Sequence, residues 1–229
     1  MPQRLLFSDS RAAADLVTFA GRAARAGDGA VHLRASGGVL RTSAAPLLRQ
    51  GLLDATPTIM GMRILPVDPE LECDLVVEAA ALTVDRDDAS AVVLPDTGFE
   101  TPLWAAADVP RGPWTPHGTL ESGALAERAQ WGMSAVAHAL PDDPGDPLVQ
   151  KVRGKIWNQP DEALNDLPRG VAFVAHLLGF LGPDSETAAV RTCGRWIRIT
   201  LRRGHVLLRG PLHVGMTDVR ATGTRVSAS

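Results

Sequence analysis

A chain of 229 residues, 45% hydrophobic and 21% charged, is long enough to bury a core as one large domain or as two smaller ones. Its apolar runs are too short for a transmembrane helix, and its start, "MPQRLLFSDS", lacks the pattern of a signal peptide. From these two features we expect a cytoplasmic protein without membrane contact. The two cysteines, Cys73 and Cys193, lie far apart in the sequence and offer neither a disulfide framework nor a CxxC site.

The net charge of −3 is unevenly distributed along the chain. Residues 1–187 carry 15 basic and 25 acidic side chains, whereas residues 188–229 carry eight arginines and one aspartate. The C-terminal segment is therefore a cationic module on an anionic body. Such clusters are typical of proteins that contact nucleic acid, another anion or an acidic protein surface.

The first half of the chain predicts one helix packed on an antiparallel sheet. Residues 11–26 place apolar side chains on one helical face, with Ser8 or Ser10 as the cap. Alternation of apolar and polar residues about Ser36-Gly37-Gly38 predicts a hairpin. Further extended segments fit residues 58–67, 73–80 and 91–95.

The second half begins after "DVPRGPWTPHG", residues 108–118, whose three prolines and two glycines predict an irregular crossover. We expect this crossover to separate a helix-plus-sheet part, residues 1–107, from a helical part, residues 119–229, although the two also fit one compact domain. The predicted fold class is α+β, with an N-terminal helix packed on an antiparallel sheet and C-terminal helices closed by a β-hairpin. The later elements are helices at 122–140, 147–157 and 168–181, a hairpin at 196–210 and a strand at 217–223.

The hairpin segment "WIRITLRRGHVLLRG" is the most basic part of the chain. A two-residue turn at Arg203-Gly204 puts every large aliphatic side chain on one face. The other face then collects Arg198, Arg202, His205 and Arg209, with Arg198 directly across from Arg209. Like charges in this position are unfavourable, so we expect an anionic group nearby. In this register Leu201 pairs with Val206 and Ile199 pairs with Leu208.

Several anionic partners fit the arginine face. Carboxylates of the acidic half, of a second subunit, or solvent counter-ions are the favoured explanation. A small anionic ligand is the next one. Nucleic acid is less favoured, because the aromatic residues that stack on bases are limited to Trp196 and no helix-turn-helix, zinc-finger or RNP signature is present.

The segment "SGALAERAQWGMSAVAHAL" offers a second set of candidate residues. Helical spacing puts Trp131 and His138 opposite the apolar stripe, so Trp131 needs cover from a loop, from another subunit or from a ligand. Glu127 and His138 are a possible acid–base pair of a pocket wall, but eleven residues of helix place them roughly 16 Å apart along its axis. The favoured interpretation is therefore a packed or interface tryptophan.

Patterns that hold metals or cofactors are missing from the sequence. The six histidines show neither an HxxxH nor an HExxH spacing, and neither GxGxxG nor GxxxxGK[ST] occurs. No GxSxG elbow supports a serine nucleophile. We therefore expect no metal and no cofactor.

Four segments, "GLLDATPTIMGMR", "LAERAQWGM", "LPRGVAFVAHLLGFLG" and "RRGHVLLRGP", resemble those of uncharacterised proteins from GC-rich actinobacteria. The resemblance runs along most of the chain. It implies a bacterial cytoplasmic protein that stands as a unit, and it transfers no catalytic residue.

These observations predict a non-enzymatic binding or interaction protein that self-associates as a homodimer. The candidate ligand or interface residues are Trp131, His138, Arg198, Arg202, His205 and Arg209. The alternative is a small-molecule binder or an enzyme acting on an anionic ligand in a cleft between the halves, lined by Trp131, His138, Arg202 and His205. A second alternative is nucleic-acid binding through the basic hairpin.

Overall fold

The computed structural model describes residues 3–49, 58–96, 99–107, 109–143 and 145–210. Residues up to 107 are called the first half, and residues from 109 the second half. The first half contains β1 (Arg4–Leu6), α1 (Ser10–Ala23), β2 (Ala30–Ser36), β3 (Val39–Leu47), β4 (Thr58–Pro66), β5 (Cys73–Glu78), β6 (Thr83–Val84) and β7 (Ala91–Val93). The second half contains β8 (Thr115–Glu121), α2 (Ser122–Ala139), α3 (Asp146–Trp157), β9 (Pro160–Asp161), β10 (Leu167–Pro168), α4 (Gly170–Leu177), β11 (Thr187–Cys193), β12 (Trp196–Leu201) and β13 (Gly204–Arg209).

One antiparallel sheet of eight strands runs through both halves, in the order β5-β2-β3-β4-β13-β12-β11-β8. The halves meet where β4 pairs with β13, from Met62 opposite His205 to Thr58 opposite Arg209. Each half contains a strand, a helix and a three-stranded meander in the same order, which are β1, α1 and β2–β4 in the first half and β8, α2 and β11–β13 in the second. The sequence shows no internal repeat. The α+β fold class is therefore confirmed, and the basic hairpin β12–β13 lies inside the sheet instead of closing the helical part.

The helices cover one face of this sheet and share a single core with it. Phe19 of α1 lies with its ring centroid 6.2 Å from that of Phe180, which follows α4, so side chains of the two halves meet over the β4–β13 junction. Burial of large apolar side chains is the main source of folding free energy. This core includes Leu16, Leu33, Leu40, Ile59, Leu125, Val174, Ile199 and Val206.

The opposite face of the sheet carries a second apolar cluster, and the connection between the halves lies over it. Trp104 from this connection is buried against Met60 of β4, Trp196 of β12 and Leu207 of β13. Phe99, Val109 and Trp114 pack at its edge. This side of the sheet is called the crossover face.

Most predicted elements lie where the sequence places them, with differences at their ends. Helix α1 is capped by Asp9 instead of Ser8 or Ser10, because Asp9 Oδ1 accepts a hydrogen bond from the N–H of Ala12 at 2.8 Å. Helix α4 ends early, since the chain reverses at Gly179 with a φ of 71°. The predicted strand at 217–223 lies outside the described residues. No helix among the described residues is long and apolar enough to cross a membrane.

Strand β8 begins at Thr115, inside the segment predicted to be irregular. The prediction of irregular structure throughout residues 108–118 was therefore wrong at its end. Pro116 fits a strand here because β8 forms the edge of the sheet, where a missing N–H need not break a ladder hydrogen bond.

The register of the basic hairpin differs from the predicted one by two residues. Its turn is Arg202-Arg203, Ile199 pairs with Val206, and Arg198 lies opposite Leu207 instead of Arg209. A shift of two keeps the side chains of both strands on their predicted faces, whereas Arg202 moves into the turn. The physical reason is Gly204, which serves close packing and not the turn, since a Cβ there would lie 2.5 Å from the Phe180 ring.

The crossing of α2 and α3 offers a test of this packing. Trp157 of α3 stacks on Phe173 with centroids 4.7 Å apart, and a Cβ on Gly132 of α2 would overlap its indole. We expect Gly132→Ala to lower the free energy of unfolding in urea by about 1–3 kcal/mol, as overpacking does.

Gly21→Ala in α1 is the matched control, because nothing lies within 4 Å of its would-be Cβ. This control should leave stability unchanged or raise it by up to about 1 kcal/mol, the helix propensity difference. Equal effects of the two substitutions would contradict the described crossing.

Candidate functional site

The six candidate residues from the sequence do not form one site. Trp131 and His138 lie on α2, on the helical side of the sheet, whereas His205 lies on the crossover face opposite Met62. Arg202 lies in the turn of the hairpin and is exposed. A cleft lined jointly by Trp131, His138, Arg202 and His205 was therefore a wrong prediction, because the sheet separates Trp131 and His138 from His205.

Trp131 is 45% exposed and is covered in part by Arg169, whose guanidinium carbon lies 4.3 Å from the ring centroid. The Arg169 Nε also donates to Asp161 Oδ2 at 2.8 Å. Burial by itself would raise the pKa of the Asp161 carboxyl, but the hydrogen bonds from Arg169 and from the N–H of Ala163 bring it below the ordinary value. Arg169 therefore ties the exposed tryptophan to a buried, ionised carboxylate.

Among the residues that the structure describes, His138 forms no hydrogen bond or ion pair with an acidic side chain. Its Nδ1 lies 2.7 Å from the carbonyl oxygen of Ser134, one turn back on α2. The Oε1 atom of Glu127 lies instead 3.5 Å from Nη2 of the neighbouring Arg128. The helix α2 thus carries no acid–base pair formed by these two residues.

Two of the four arginines of the hairpin, Arg198 and Arg209, lie over tryptophan rings. The guanidinium carbon of Arg198 lies 4.3 Å from the centroid of Trp114, and that of Arg209 lies 5.6 Å from the centroid of Trp196. Within the described ranges no carboxylate forms an ion pair with either arginine. The expectation of carboxylates from the chain's own acidic half is therefore not met, because indole rings take the place of the anions.

A second positive charge lies close to Arg198, but it comes from β11 and not from β13 as the sequence predicted. Arg191 of β11 lies directly opposite Arg198 of β12. Burial, and then the charge of Arg191, lower the pKa of the Arg198 guanidinium. Burial and the charge of Arg198 lower the pKa of His205, whose Nδ1 lies 3.2 Å from Thr200 Oγ1.

A cavity of about 580 Å³ opens on the crossover face where the two halves meet. Strand β4 and the connection between the halves form its apolar walls, and Arg209 reaches it from β13. This cavity is called the junction pocket. Its apolar lining residues are Leu48, Met60, Pro102, Leu103, Trp104 and Ala107, and its polar ones are Asp28, Arg49, Thr58 and Arg209.

The polar rim of the junction pocket is partly held within the protein. Asp28 accepts a hydrogen bond from Trp104 Nε1 at 2.7 Å through one oxygen and from the N–H of Ala30 at 3.1 Å through the other. Leu103, in contrast, is 91% exposed at the edge of the pocket. The tryptophan is thus fixed as a wall, and the leucine next to it projects into solvent.

Trp104 and Trp114 are the site residues that the sequence prediction missed. Trp114 lies in the Pro/Gly-rich segment 108–118, which was interpreted only as a boundary, and Trp104 lies just before it. The available signal was their type, since a tryptophan in an irregular segment needs an apolar surface to cover it. Among the described residues no group of three His, Cys, Asp or Glu side chains could hold a metal ion.

Comparison with known families divides the chain at the same connection. Residues 1–106 match a family described as "Domain of unknown function (DUF8010)", and residues 109–213 match one described as "Domain of unknown function (DUF8185)". No curated protein matches the chain. The predicted resemblance to an uncharacterised family is therefore confirmed.

Solved structures of DNA polymerase III β sliding clamps are similar to the chain at low identity. The clamp of Bartonella birtlesii bound to griselimycin is 13% identical with a TM-score of 0.48, over 90% of this chain and 64% of that one. The Thermotoga maritima subunit is 11% identical with a TM-score of 0.48 over the same shares, and the Caulobacter crescentus clamp is 12% identical with 0.46, over 97% and 69%. The chain spans 64% of the length of the first two. At these values the likeness supports no statement about what this chain binds.

The half-buried His205 on the crossover face predicts a pH-dependent stability. Because the folded-state pKa of His205 lies below its ordinary 6.5, the unfolded chain binds this proton more readily. The contribution of the neutral His205 side chain to the free energy of unfolding is therefore complete above pH 6.5 and is lost as the pH falls below 6.5. We expect the free energy of unfolding in urea to be lower at pH 5.5 than at pH 7.5, and His205→Gln to reduce that difference.

His138→Gln is the matched control, since His138 is exposed on α2. This variant should retain the pH dependence of the wild type. A wild-type pH dependence in His205→Gln would show that His205 does not contribute.

Proposed function

We propose that this chain, whose two halves match families of unknown function, is a non-enzymatic binding protein that holds a small ligand in the junction pocket. The observation that carries this proposal is the cavity of about 580 Å³, which residues of the first half line and which Arg209 of the second half completes. Ligand sites of proteins are commonly concave, mostly apolar and of about 300–1,000 Å³, and they favour such junctions.

The lining supports binding rather than catalysis. Its described residues include Asp28 and Thr58 but no histidine, cysteine or lysine that would act as a base or nucleophile beside them. Both oxygens of Asp28 are engaged by N–H donors of the protein. The residues at the pocket can therefore orient a ligand, and none of them forms a nucleophile–base pair.

We infer that the two halves, residues 1–107 and 119–229, act as one unit. The hydrophobic core that they share on the helical side of the sheet supports this organisation. A bacterial, cytoplasmic location is supported by the actinobacterial resemblance and by the free thiols of Cys73 and Cys193.

The nucleic-acid alternative loses support because Trp104 and Trp196 are only 5% and 6% exposed and offer no open ring face for bases.

Filling the pocket tests the proposed function. Ala107 lines the cavity, whereas its neighbour Ala106 is exposed and does not. With N-phenyl-1-naphthylamine as a neutral apolar probe, fluorescence titration should give saturable binding to the wild type. Ala107→Trp should weaken binding of the probe about tenfold or more, because the indole occupies space in the cavity and the probe loses apolar contacts worth more than about 1.4 kcal/mol.

Ala106→Trp is the matched control and should bind the probe within about twofold of the wild type. Two results would remove the proposed function: a wild type that does not bind the probe, or an Ala107→Trp variant that binds it as the wild type does.

Self-association is a second candidate function, supported by the exposed Trp131 with Arg169 on its ring and by the exposed Leu148 of α3. Tryptophan and arginine are enriched where protein interfaces derive most of their affinity. We propose that this surface of α2 and α3 joins two copies of the chain over about 1,600 Å², a standard interface.

Sedimentation velocity at micromolar concentration should show a dimer for the wild type. Trp131→Ser should weaken dimerisation by about thirtyfold, the effect of a residue worth 2 kcal/mol. Leu6→Ser, at an exposed leucine of β1, is the control and should leave the dimer intact. A monomeric wild type would end this proposal.

A further inference from the structure

The junction pocket has a fixed cation in the wall that the second half contributes. Arg209 ends β13, where it pairs with Trp196 on one side and with Thr58 on the other. The contact of its guanidinium with the Trp196 ring, 5.6 Å from carbon to centroid, holds the side chain in place at the cavity. A cation that is oriented before a ligand arrives loses little freedom on binding.

Arg209 also has unused hydrogen-bonding capacity. Its Nε is buried from solvent and finds no acceptor among the described residues. No described carboxylate lies within ion-pair distance of it. A buried donor without an acceptor is costly. Because Nε itself is closed to solvent, an anionic ligand would accept hydrogen bonds from the outer Nη groups of Arg209, for which the described part of the chain likewise offers no hydrogen-bond acceptor.

The charges around the pocket favour an anion over a cation. Arg198, which does not itself line the pocket, lies over Trp114 one strand away from Arg209, and its Nε likewise lacks an acceptor within the described part of the chain. Arg49 is a second arginine in the lining. The one acidic lining residue that the structure describes, Asp28, uses both oxygens for Trp104 and Ala30.

We infer that the junction pocket binds an apolar molecule that carries one anionic oxyacid group, a carboxylate or a phosphate ester. The anionic oxygens accept hydrogen bonds from the guanidinium of Arg209, and the apolar body lies against Met60, Leu48 and Trp104. This inference rests on the proposed function, since it assigns the chemistry of the ligand in the same pocket.

A matched pair of probes tests it. 8-Anilino-1-naphthalenesulfonate and N-phenyl-1-naphthylamine differ only in the sulfonate, so the ratio of their dissociation constants measures recognition of the anion. In the wild type the sulfonate probe should bind about tenfold more tightly or better, as a charge-assisted hydrogen bond provides. In Arg209→Met, which keeps an unbranched side chain against Trp196, the ratio should fall to about one while the neutral probe binds within about twofold of the wild type.

Arg202→Met is the control variant, because Arg202 is exposed in the turn at the other end of the same hairpin. It should retain the wild-type ratio. Competition against the bound sulfonate probe then separates the two oxyacids: displacement by 1-naphthoate indicates a carboxylate, and displacement by 1-naphthyl phosphate indicates a phosphate ester.

The outcomes distinguish this inference from the proposed function. If both probes bind the wild type equally, or if Arg209→Met weakens both probes to the same degree, or if neither competitor displaces the probe, the anionic ligand is wrong and the apolar pocket stands. If neither probe binds the wild type, the proposed function itself fails.

Discussion

The pairing of β4 with β13 is the interaction on which the rest of the structure depends. It joins two meanders that are distant in sequence into one sheet, with Val206 opposite Gly61 and Leu207 opposite Met60. On the helical side it brings Phe180 onto Gly204 and toward Phe19 of the first half. On the other side it brings Arg209 to the pocket wall formed by β4. The core and the candidate site are therefore consequences of the same strand pair.

The two faces of the sheet are covered in different ways, which explains why the pocket lies on only one of them. Helices present continuous apolar stripes and fill the space above the strands, as α1 and α4 do over the junction. The crossover face is covered by an irregular connection, which contributes single side chains such as Trp104 and Trp114. Prolines at 110 and 113 suit this position, since they bring no N–H that would need a partner. A cover made of separated side chains leaves room between them, and that room is the junction pocket.

Local patterns in the sequence predicted much of the fold, whereas the contacts of the site are long-range. Periodicity predicted α1 and α2, and alternation predicted the faces of the hairpin, which survive a register shift of two residues because side-chain direction repeats every second residue. The neighbour of β13 could not be predicted, because nothing local specifies β4. The same holds for Trp114 on Arg198, two residues separated by 84 positions of chain whose contact depends on the sheet order.

The arginines lie against tryptophans and not against carboxylates of the acidic half, and this has a physical reason. Carboxylates of the acidic half were one of the expected partners, beside a second subunit, solvent counter-ions and a small anionic ligand, because charge pairing stabilises a positive cluster. Stacking on an indole also stabilises a guanidinium, but it uses the flat face of the group and leaves the N–H donors at its edge unengaged. A carboxylate partner would occupy those donors and compete with an anionic ligand. A tryptophan partner holds Arg209 in position while its outer Nη donors remain without an acceptor among the described residues, which is the arrangement that a binding site for an anion requires.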